Sequence, residues 1–489
     1  MVFQNNVLSG AAGSGTTTYT IDQSIRFNDD DSAYMYRTPS SASDRDKWTW
    51  SAWIKKGNSG QNGMLFSAPL GSSGGYLAIQ YGSLDQFMLY QWTGSGYDFD
   101  VRTTQKFRDP SAWYHYVVVY DSGNAVSTER VKLYVNGQRI TDLTGASSSP
   151  AYPSQNTDSY INNTVQHSIG YYIRPPGSDG LYFDGHMAEI HFLDGYAYDP
   201  SYFGEFNNSG IWIPKEYTGS YGTNGFKIDG RDSSDLGDDE SGNGNDYTTS
   251  GLAAHDQVLD SPTNNFATFN PVMTTDSDFE FSEGNLKLDM NTNKSWYVGA
   301  GASMSMSSGK WYWESYWNSG DSYTIWGILD TEQLHTLAGS GSSSIYALNF
   351  NGIQPNSSGT NDQYRQGQGG SAIATGQAGA PGGIWQFALD MDNKKMWLGY
   401  NGTYVGSGDP AGGTNETWSS TYIASSSYTP INQGYQISAH SILTYNFGQD
   451  STFAGATTAG GNSDGNGIGN FKYSVPSGFK ALCTKNLGS

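Results

Sequence analysis

Val131-Lys-Leu-Tyr-Val-Asn136-Gly137 and Lys395-Met-Trp-Leu-Gly-Tyr-Asn401-Gly402 are the same device, placed once in each half of a 489-residue chain. Each alternates large apolar residues with others and then ends in Asn-Gly. Alternation puts one set of side chains on a buried sheet face. Asn-Gly supplies the two positive-φ positions of a type I′ hairpin turn. Each signature follows a second aromatic strand, Trp113-Tyr-His-Tyr-Val-Val-Val-Tyr120 and Ile384-Trp-Gln-Phe-Ala-Leu-Asp390. The repetition predicts two β-sandwich recognition modules in tandem and argues against a single enzyme core.

Composition agrees with that reading. Gly accounts for 63 residues and the aromatics for 14%, while Glu and Lys are scarce. Short strands joined by turns use such residues. All-β domains run to roughly 200–250 residues, so the length predicts two. The net charge of −21 repels nucleic acid, whose binding needs clustered Lys and Arg, and disfavours an anionic membrane surface. Cys483 is the one cysteine, so no internal disulfide forms and packing must supply the stability. No run of about 18 apolar residues exists to cross a membrane. The Met1-Val-Phe-Gln start lacks a basic region and a continuous apolar run, so no signal peptide is expected and synthesis in the cytoplasm is.

The expected organisation has four parts. Residues 1–20 form an N-terminal docking arm with Val2, Phe3, Val7 and Leu8 as apolar anchors. Residues 21–230 form the first sandwich. Residues 231–270 are polar, acidic and Gly-rich, and read as a connection. Residues 271–489 form the second sandwich with a C-terminal tail. Within these, Pro200-Ser-Tyr-Phe-Gly-Glu-Phe206 reads as a short helix, Ile345-Tyr-Ala-Leu-Asn-Phe350 as a strand, and 354–383 as a long Gly/Ser/Gln loop.

At this point the motifs become recognisable. Trp48-Thr-Trp-Ser-Ala-Trp-Ile-Lys55, Trp113-Tyr-His-Tyr-Val117, Leu133-Tyr-Val-Asn-Gly137 and Phe183-Asp-Gly-His-Met-Ala-Glu-Ile190 resemble laminin-G-like, concanavalin-A-like jelly rolls. Gly309-Lys-Trp-Tyr-Trp-Glu314, Phe387-Ala-Leu-Asp390, Trp397-Leu-Gly-Tyr-Asn-Gly402 and Tyr445-Asn-Phe-Gly-Gln449 resemble a SPRY domain. The combination is similar to virion structural proteins of tailed, marine-type bacteriophages. Phe3-Gln-Asn-Asn-Val7, Ser241-Gly-Asn-Gly-Asn-Asp246, Asp260-Ser-Pro-Thr-Asn-Asn-Phe-Ala-Thr268 and Phe479-Lys-Ala-Leu-Cys-Thr-Lys-Asn-Leu487 carry that likeness. It implies a fibre, appendage or decoration subunit, located in the virion and partnered by other virion proteins. Fibres and appendages are cyclic, which implies a homo-oligomer, a trimer among the candidates.

The resemblance also raises catalysis and metal binding. Retaining glucanases of the concanavalin-A-like fold use Glu-x-Asp-x-Glu on one strand, and this chain has no two Glu residues four apart. Gly71-Ser-Ser-Gly-Gly75 and Gly461-Asn-Ser-Asp-Gly465 match a nucleophile elbow in letters alone, because neither lies between a strand and a helix. His186 and His191, at odd spacing, are expected on opposite faces of one strand, while Glu189 and His191 share a face. No cofactor is required. Calcium, which related sandwiches hold at loop carboxylates, has Asp30 and Asp184 as candidate ligands. Asp239-Glu-Ser-Gly-Asn-Gly244 resembles half an EF-hand loop, but Ser250 stands where a bidentate Glu is needed.

Host-surface polysaccharide is the remaining partner class. Sugars stack on exposed aromatic faces beside polar neighbours. Trp92 and Tyr97, near Tyr90, form one candidate group, and Tyr171 and Tyr172 form another. The expectation is therefore a non-enzymatic virion protein of two sandwiches, with a carbohydrate-binding adhesin as the alternative and a glycan hydrolase as the third reading.

Overall fold

Both Asn-Gly pairs adopt the left-handed backbone that the hairpins require. φ is +47° and +76° at Asn136 and Gly137, and +47° and +86° at Asn401 and Gly402. In each turn the Asn side chain also reaches back to a neighbouring strand. Asn136 Oδ1 accepts from the backbone N–H of His115, and Asn401 Oδ1 from that of Ile384, both at 2.8 Å. One side chain thus closes the turn and fixes the start of the partner strand. Gly137 has no room for more than hydrogen, since a Cβ there would lie 2.3 Å from Trp212.

The computed structural model describes residues 19–70, 74–172, 181–273, 279–290, 298–320, 324–337, 348–355, 363–366, 373–374, 376–434 and 440–487. It is all-β, in antiparallel sheets, and divides into two units between Asn265 and Phe266. The arm residues Val2, Phe3, Val7 and Leu8 lie outside the described residues.

The first unit packs two sheets face to face. One runs Gln138–Ile140, Val131–Val135, Tyr114–Asp121, Lys47–Lys56, Gly185–Asp194, Ser24–Phe27, Gln257–Val258, with Phe226–Ile228 also on Gly185–Asp194. The other runs Leu143–Thr144, Tyr97–Lys106, Gln86–Trp92, Gly75–Tyr81, Gly63–Leu70, His167–Ile169, Tyr34–Arg37, Thr248–Ser250. Trp48, Trp50, Ile54, Val118, Leu133 and Ile190 of the first meet Leu77, Ile79, Leu89, Phe99 and Val101 of the second in one core. Trp48 lies flat on Tyr120 of the adjacent strand, with centroids 5.2 Å apart. Burying each such ring contributes about 1.5–3 kcal/mol.

Residues 231–270 do not form the connection that their composition suggested. Thr248–Ser250 pairs with Tyr34–Arg37, and Gln257–Val258 with Ser24–Phe27. Leu236, Tyr247 and Val258 are buried. The polar residues order the turns by satisfying backbone donors. The Asp239 carboxylate accepts from the N–H groups of Lys227, Ser241 and Asn245. Asp260 then seals the outer side of the first sheet, accepting from Lys55 Nζ at 2.7 Å and Trp113 Nε1 at 3.0 Å, with all three buried.

Two smaller expectations also change. Pro200–Tyr202 is a single 3-10 turn capped by Asp199, after which Gly204–Phe206 runs as a strand. In the stretch expected as a long loop, Gln363–Gln366 pairs with Phe350–Gln354, and Ile373–Ala374 pairs with Gln363–Gln366. An outer strand needs backbone partners more than apolar side chains, so composition does not announce it.

The second unit repeats the plan. Its first sheet runs Phe279–Ser282, Lys287–Met290, Ser441–Asn446, Lys310–Ser319, Ile384–Asp390, Lys395–Tyr400, Thr403–Tyr404, and Lys480–Ala481 lies parallel on Lys310–Ser319. Its second runs Val298–Gly301, Tyr428–Gly434, Thr324–Asp330, Phe350–Gln354, Gln363–Gln366, Ile373–Ala374. Of the strand expected over 345–350, residues 345–347 lie outside the described residues, Leu348 and Asn349 form a bend, and the strand begins at Phe350. Trp313 stacks flat on Phe387 at 5.1 Å. On the opposite side of Lys310–Ser319, Glu314 staples the C-terminal segment down. Its Oε1 accepts from the N–H of Tyr473 and its Oε2 from that of Lys472, both at 2.8 Å, and Tyr312 and Asn446 donate as well.

Each carboxylate oxygen faces a backbone donor, so an amide cannot replace it without turning N–H against N–H. Glu314→Gln is therefore expected to destabilise the second unit by about 1–3 kcal/mol, read as a lower denaturant midpoint. An unchanged midpoint would refute the staple.

Candidate functional site

Period-two alternation sorts the second sheet of the first unit into two unlike faces. Leu77, Ile79 and Leu89 point into the core, while Tyr76, Ala78, Gln80, Met88, Tyr90 and Trp92 point away from it. The outward residues form a separate cluster on Met64, with Tyr172 and Leu181 of a short overlying hairpin packed against it. Its rings touch in sequence. Tyr172 lies 4.0 Å from Tyr76, and Tyr76 lies 5.6 Å from Tyr90. Tyr97 stands edge-on to Trp92 at 5.0 Å and to Tyr90 at 5.5 Å. Tyr97 is 43% exposed, Tyr76 and Trp92 are half-buried, and Tyr90 and Tyr172 are buried.

Polar groups are fixed among these rings. The hydroxyls of Tyr76 and Tyr90 and Oε1 of Gln80 form a hydrogen-bonded chain, each link 3.1 Å. Arg102 donates to Asp100 at 2.7 Å and to the Tyr97 hydroxyl at 3.1 Å. Because Tyr97 Oη accepts from the guanidinium, its own proton is directed elsewhere. Aromatic surface with a few oriented donors and acceptors is what a polar ring-shaped ligand needs.

The two aromatic groups read from sequence therefore stand on one sheet face. Tyr172 joins the Trp92–Tyr97 group, but at 2% exposure its ring is covered and serves as packing. Tyr171 turns the other way and packs with Tyr182 at 4.6 Å and Tyr34 at 4.7 Å. Tyr34, Tyr36, Tyr76 and Tyr182 were not singled out from sequence. The signal was present in Tyr34-Met-Tyr36, where two half-exposed tyrosines flank a buried methionine.

The calcium candidates are not gathered into a site. Asp30 is exposed in a turn, whereas Asp184 is buried against Gly57. Among the described residues, no three His, Cys, Asp or Glu side chains stand where they could hold a metal ion. The half EF-hand is filled by its own chain, since Asp239 accepts from Ser241 and Asn245 as well as Lys227. Asp464 closes a similar loop in the second unit, accepting from Asn466, Ile468 and Ala481.

The Ser–His contact of the first sheet, between Ser51 and His115, is not arranged for nucleophilic attack. Ser51 Oγ lies 2.8 Å from His115 Nε2, but His115 Nδ1 accepts from Trp212 Nε1–H at 3.1 Å. The proton of neutral His115 is therefore on Nε2, which donates to Ser51 instead of receiving from it. Burial pushes the His115 imidazole down to about 3, which keeps it neutral.

His186 and His191 share the outer face of the first sheet, contrary to expectation. A bulge at Glu189, with φ +48°, shifts the register between Ala188 and His191 and reverses the alternation. Glu189 and His191 do meet, at 3.1 Å. The Glu189 carboxylate is buried, yet His191, Lys227 and the Tyr19 hydroxyl hold it down at about 2, so it has no proton to give at neutral pH. Burial raises the Glu314 carboxyl to about 7, but this group is sealed under the C-terminal segment at 0% exposure, out of reach of a glycan.

A model of the concanavalin A-like lectin/glucanases superfamily matches residues 29–197. Solved structures similar to the chain include the SPRY domain of human HERC1, at 13% identity and TM-score 0.27, covering 36% of this chain and 96% of that one. The heptameric SAP-like pentraxin of Limulus polyphemus is 15% identical with TM-score 0.28, covering 37% and 80%. A proposed carbohydrate-binding protein from Bacteroides ovatus is 17% identical with TM-score 0.28, covering 47% and 58%. No curated protein matches the chain. No helix among the described residues is long and apolar enough to cross a membrane.

Buried imidazoles make the first unit acid-sensitive. Burial lowers His115 to about 3 and His167 to about 4, and burial with Lys55 and Arg26 lowers His186 well below the usual range. Each folded value lies below the unfolded one of about 6.5, so the fold prefers the neutral form. That stability is complete above about pH 6.5 and is lost as pH falls toward the folded values, at up to about 1.4 kcal/mol per pH unit per histidine. Denaturant titrations should show a lower midpoint for the first unit at pH 5 than at pH 7. A flat profile would contradict the burial of neutral histidines.

Proposed function

We propose that this chain is a non-enzymatic glycan-binding protein whose first unit holds polysaccharide on the outward aromatic face of its second sheet. One observation carries the reading. Tyr34, Tyr36, Tyr76, Trp92, Tyr97, Tyr171 and Tyr182 stand partly exposed on or beside that face, among hydroxyls already oriented by internal hydrogen bonds. Aromatic rings are costly to leave in water, and a polar, ring-shaped ligand covers them without asking for an apolar partner. The superfamily matched by residues 29–197 holds both lectins and glucanases. The lectin side is favoured here by the missing Glu-x-Asp-x-Glu, by the pairing of Glu189 with His191 and Lys227, and by the sealing of Glu314.

The place of this activity is the surface of a tailed-phage particle, as a fibre, appendage or decoration subunit. That part rests on the resemblance carried by Phe3–Val7, Ser241–Asp246, Asp260–Thr268 and Phe479–Leu487. The arm over 1–20 would join other virion proteins, in a homo-oligomer for which a trimer is one candidate. Removing residues 1–18, which spares the Tyr19 hydroxyl that donates to Glu189, should abolish incorporation into particles and leave both sandwiches folded. Normal incorporation would remove the arm from the account.

The glycan reading is tested by incubating the protein with labelled host-surface polysaccharide and reading retention and chain length together. Retention of intact chains is expected. Trp92→Ala combined with Tyr97→Ala should weaken retention by about tenfold or more, with circular dichroism unchanged. Shortened chains would mean an enzyme, and no retention would leave a purely structural subunit.

A further inference from the structure

The partly exposed rings of the aromatic face fall into two groups, and one short strand keeps them apart. Tyr171 and Tyr172 are consecutive in Tyr171–Tyr172, so their side chains point to opposite sides. Tyr172 packs on Tyr76, in the group with Trp92 and Tyr97. Tyr171 packs on Tyr34 and Tyr182, and Tyr34 lies 5.7 Å from Tyr36. The sheet order fixes the separation. Gly63–Leu70 and His167–Ile169 lie between the strand of Tyr76 and the strand of Tyr34 and Tyr36. Three strand spacings make about 14 Å, and the strand of Tyr97 is two spacings further, about 24 Å from Tyr34.

Charge on the same strands is equally informative. Gly63–Leu70, Gly75–Tyr81, Gln86–Trp92 and His167–Ile169 hold no Lys or Arg. Arg102 is engaged by Asp100 and the Tyr97 hydroxyl, and Arg37 by Asn245. Lys106 closes the end of Tyr97–Lys106. Among the described residues no cationic track crosses the face, and a chain of net charge −21 repels a polyanion at long range.

We infer that the occupant of this face is a neutral polysaccharide chain laid across the strands, touching the Trp92–Tyr97 group and the Tyr34–Tyr36–Tyr171–Tyr182 group at once. The inference rests on the glycan-binding reading and adds the ligand's form and charge. A terminal sugar would cover one group and leave the other in water. A chain of several sugars reaches both, passing over Tyr171–Tyr172 between them. Tyr34, Tyr36 and Tyr182 are then ligand contacts, with Tyr171 shared between packing and binding.

The test is calorimetric titration with neutral cello-, laminari-, manno- and malto-oligosaccharides from disaccharide to octasaccharide, and with heparin as the acidic probe. For the backbone that binds, affinity should rise by about tenfold or more as the oligomer becomes long enough to reach both groups. Tyr34→Ala with Tyr36→Ala should erase that gain and leave the weak binding of short oligomers intact, whereas Tyr34→Phe should keep it. An unchanged unfolding midpoint for each variant separates lost contact from lost fold. Equal affinity for short and long oligomers, or a full gain retained in the double variant, would overturn the inference while the glycan reading stands. Salt-sensitive binding of heparin in preference to every neutral oligomer would overturn the assignment of charge. No binding of any saccharide, with self-association that Tyr34→Ala abolishes, would overturn both and make a second copy of the chain the occupant.

Discussion

Strict alternation along Gly75–Tyr81 and Gln86–Trp92 is the constraint on which the rest of the first unit depends. One step along either strand changes a core position into a surface one. Leu77, Ile79 and Leu89 hold the sandwich together, and Tyr76, Tyr90 and Trp92 are thereby presented on its outside. The stability of the core and the placement of the aromatic face are two consequences of one register. A slip of a single residue would bury the tyrosines and expose the aliphatics, so the binding face cannot drift without unfolding its support.

The opposite sheet shows the contrasting solution. Its outer side is closed by later parts of the chain and not offered to a ligand. Lys55, Trp113 and Asp260 lock together there, and the bulge at Glu189 turns a carboxylate toward His191 and Lys227. Polar chemistry on that side is spent on internal pairing. This is why groups that look catalytic in isolation, such as Ser51 beside His115, have their protons in the wrong place for catalysis. One sheet is sealed by ionic and hydrogen-bonded contacts, and the other is left open and aromatic.

Much of this was legible in the sequence wherever the cause is local. The Asn-Gly turns need positive φ at two successive residues, and few other dipeptides supply it, so both hairpins and the all-β class could be read directly. Trp92, Tyr97 and Tyr171 could be named because aromatic clusters are visible in short windows. Their union on one face could not, because sheet order places Tyr34 and Tyr76 on strands far apart in sequence. The face shared by His186 and His191 was misread because a bulge changes parity, and nothing in Ala188-Glu-Ile190 announces one. Residues 231–265 were misread because Leu236, Tyr247 and Val258 are scattered among acidic residues whose carboxylates order backbone N–H groups. Low hydrophobicity there reflects turns held by side-chain hydrogen bonds, not a free linker.

Hydroxyl-radical footprinting of the aromatic side chains, with and without bound polysaccharide, addresses the central claim most directly. Protection of Tyr34, Tyr36, Trp92 and Tyr97 is expected, while Tyr202 and Phe206, which are 43% and 49% exposed elsewhere on the first unit, keep their full reactivity. Protection of Tyr202 and Phe206 with the sheet tyrosines still reactive, or no protection at saturating polysaccharide, would contradict the account.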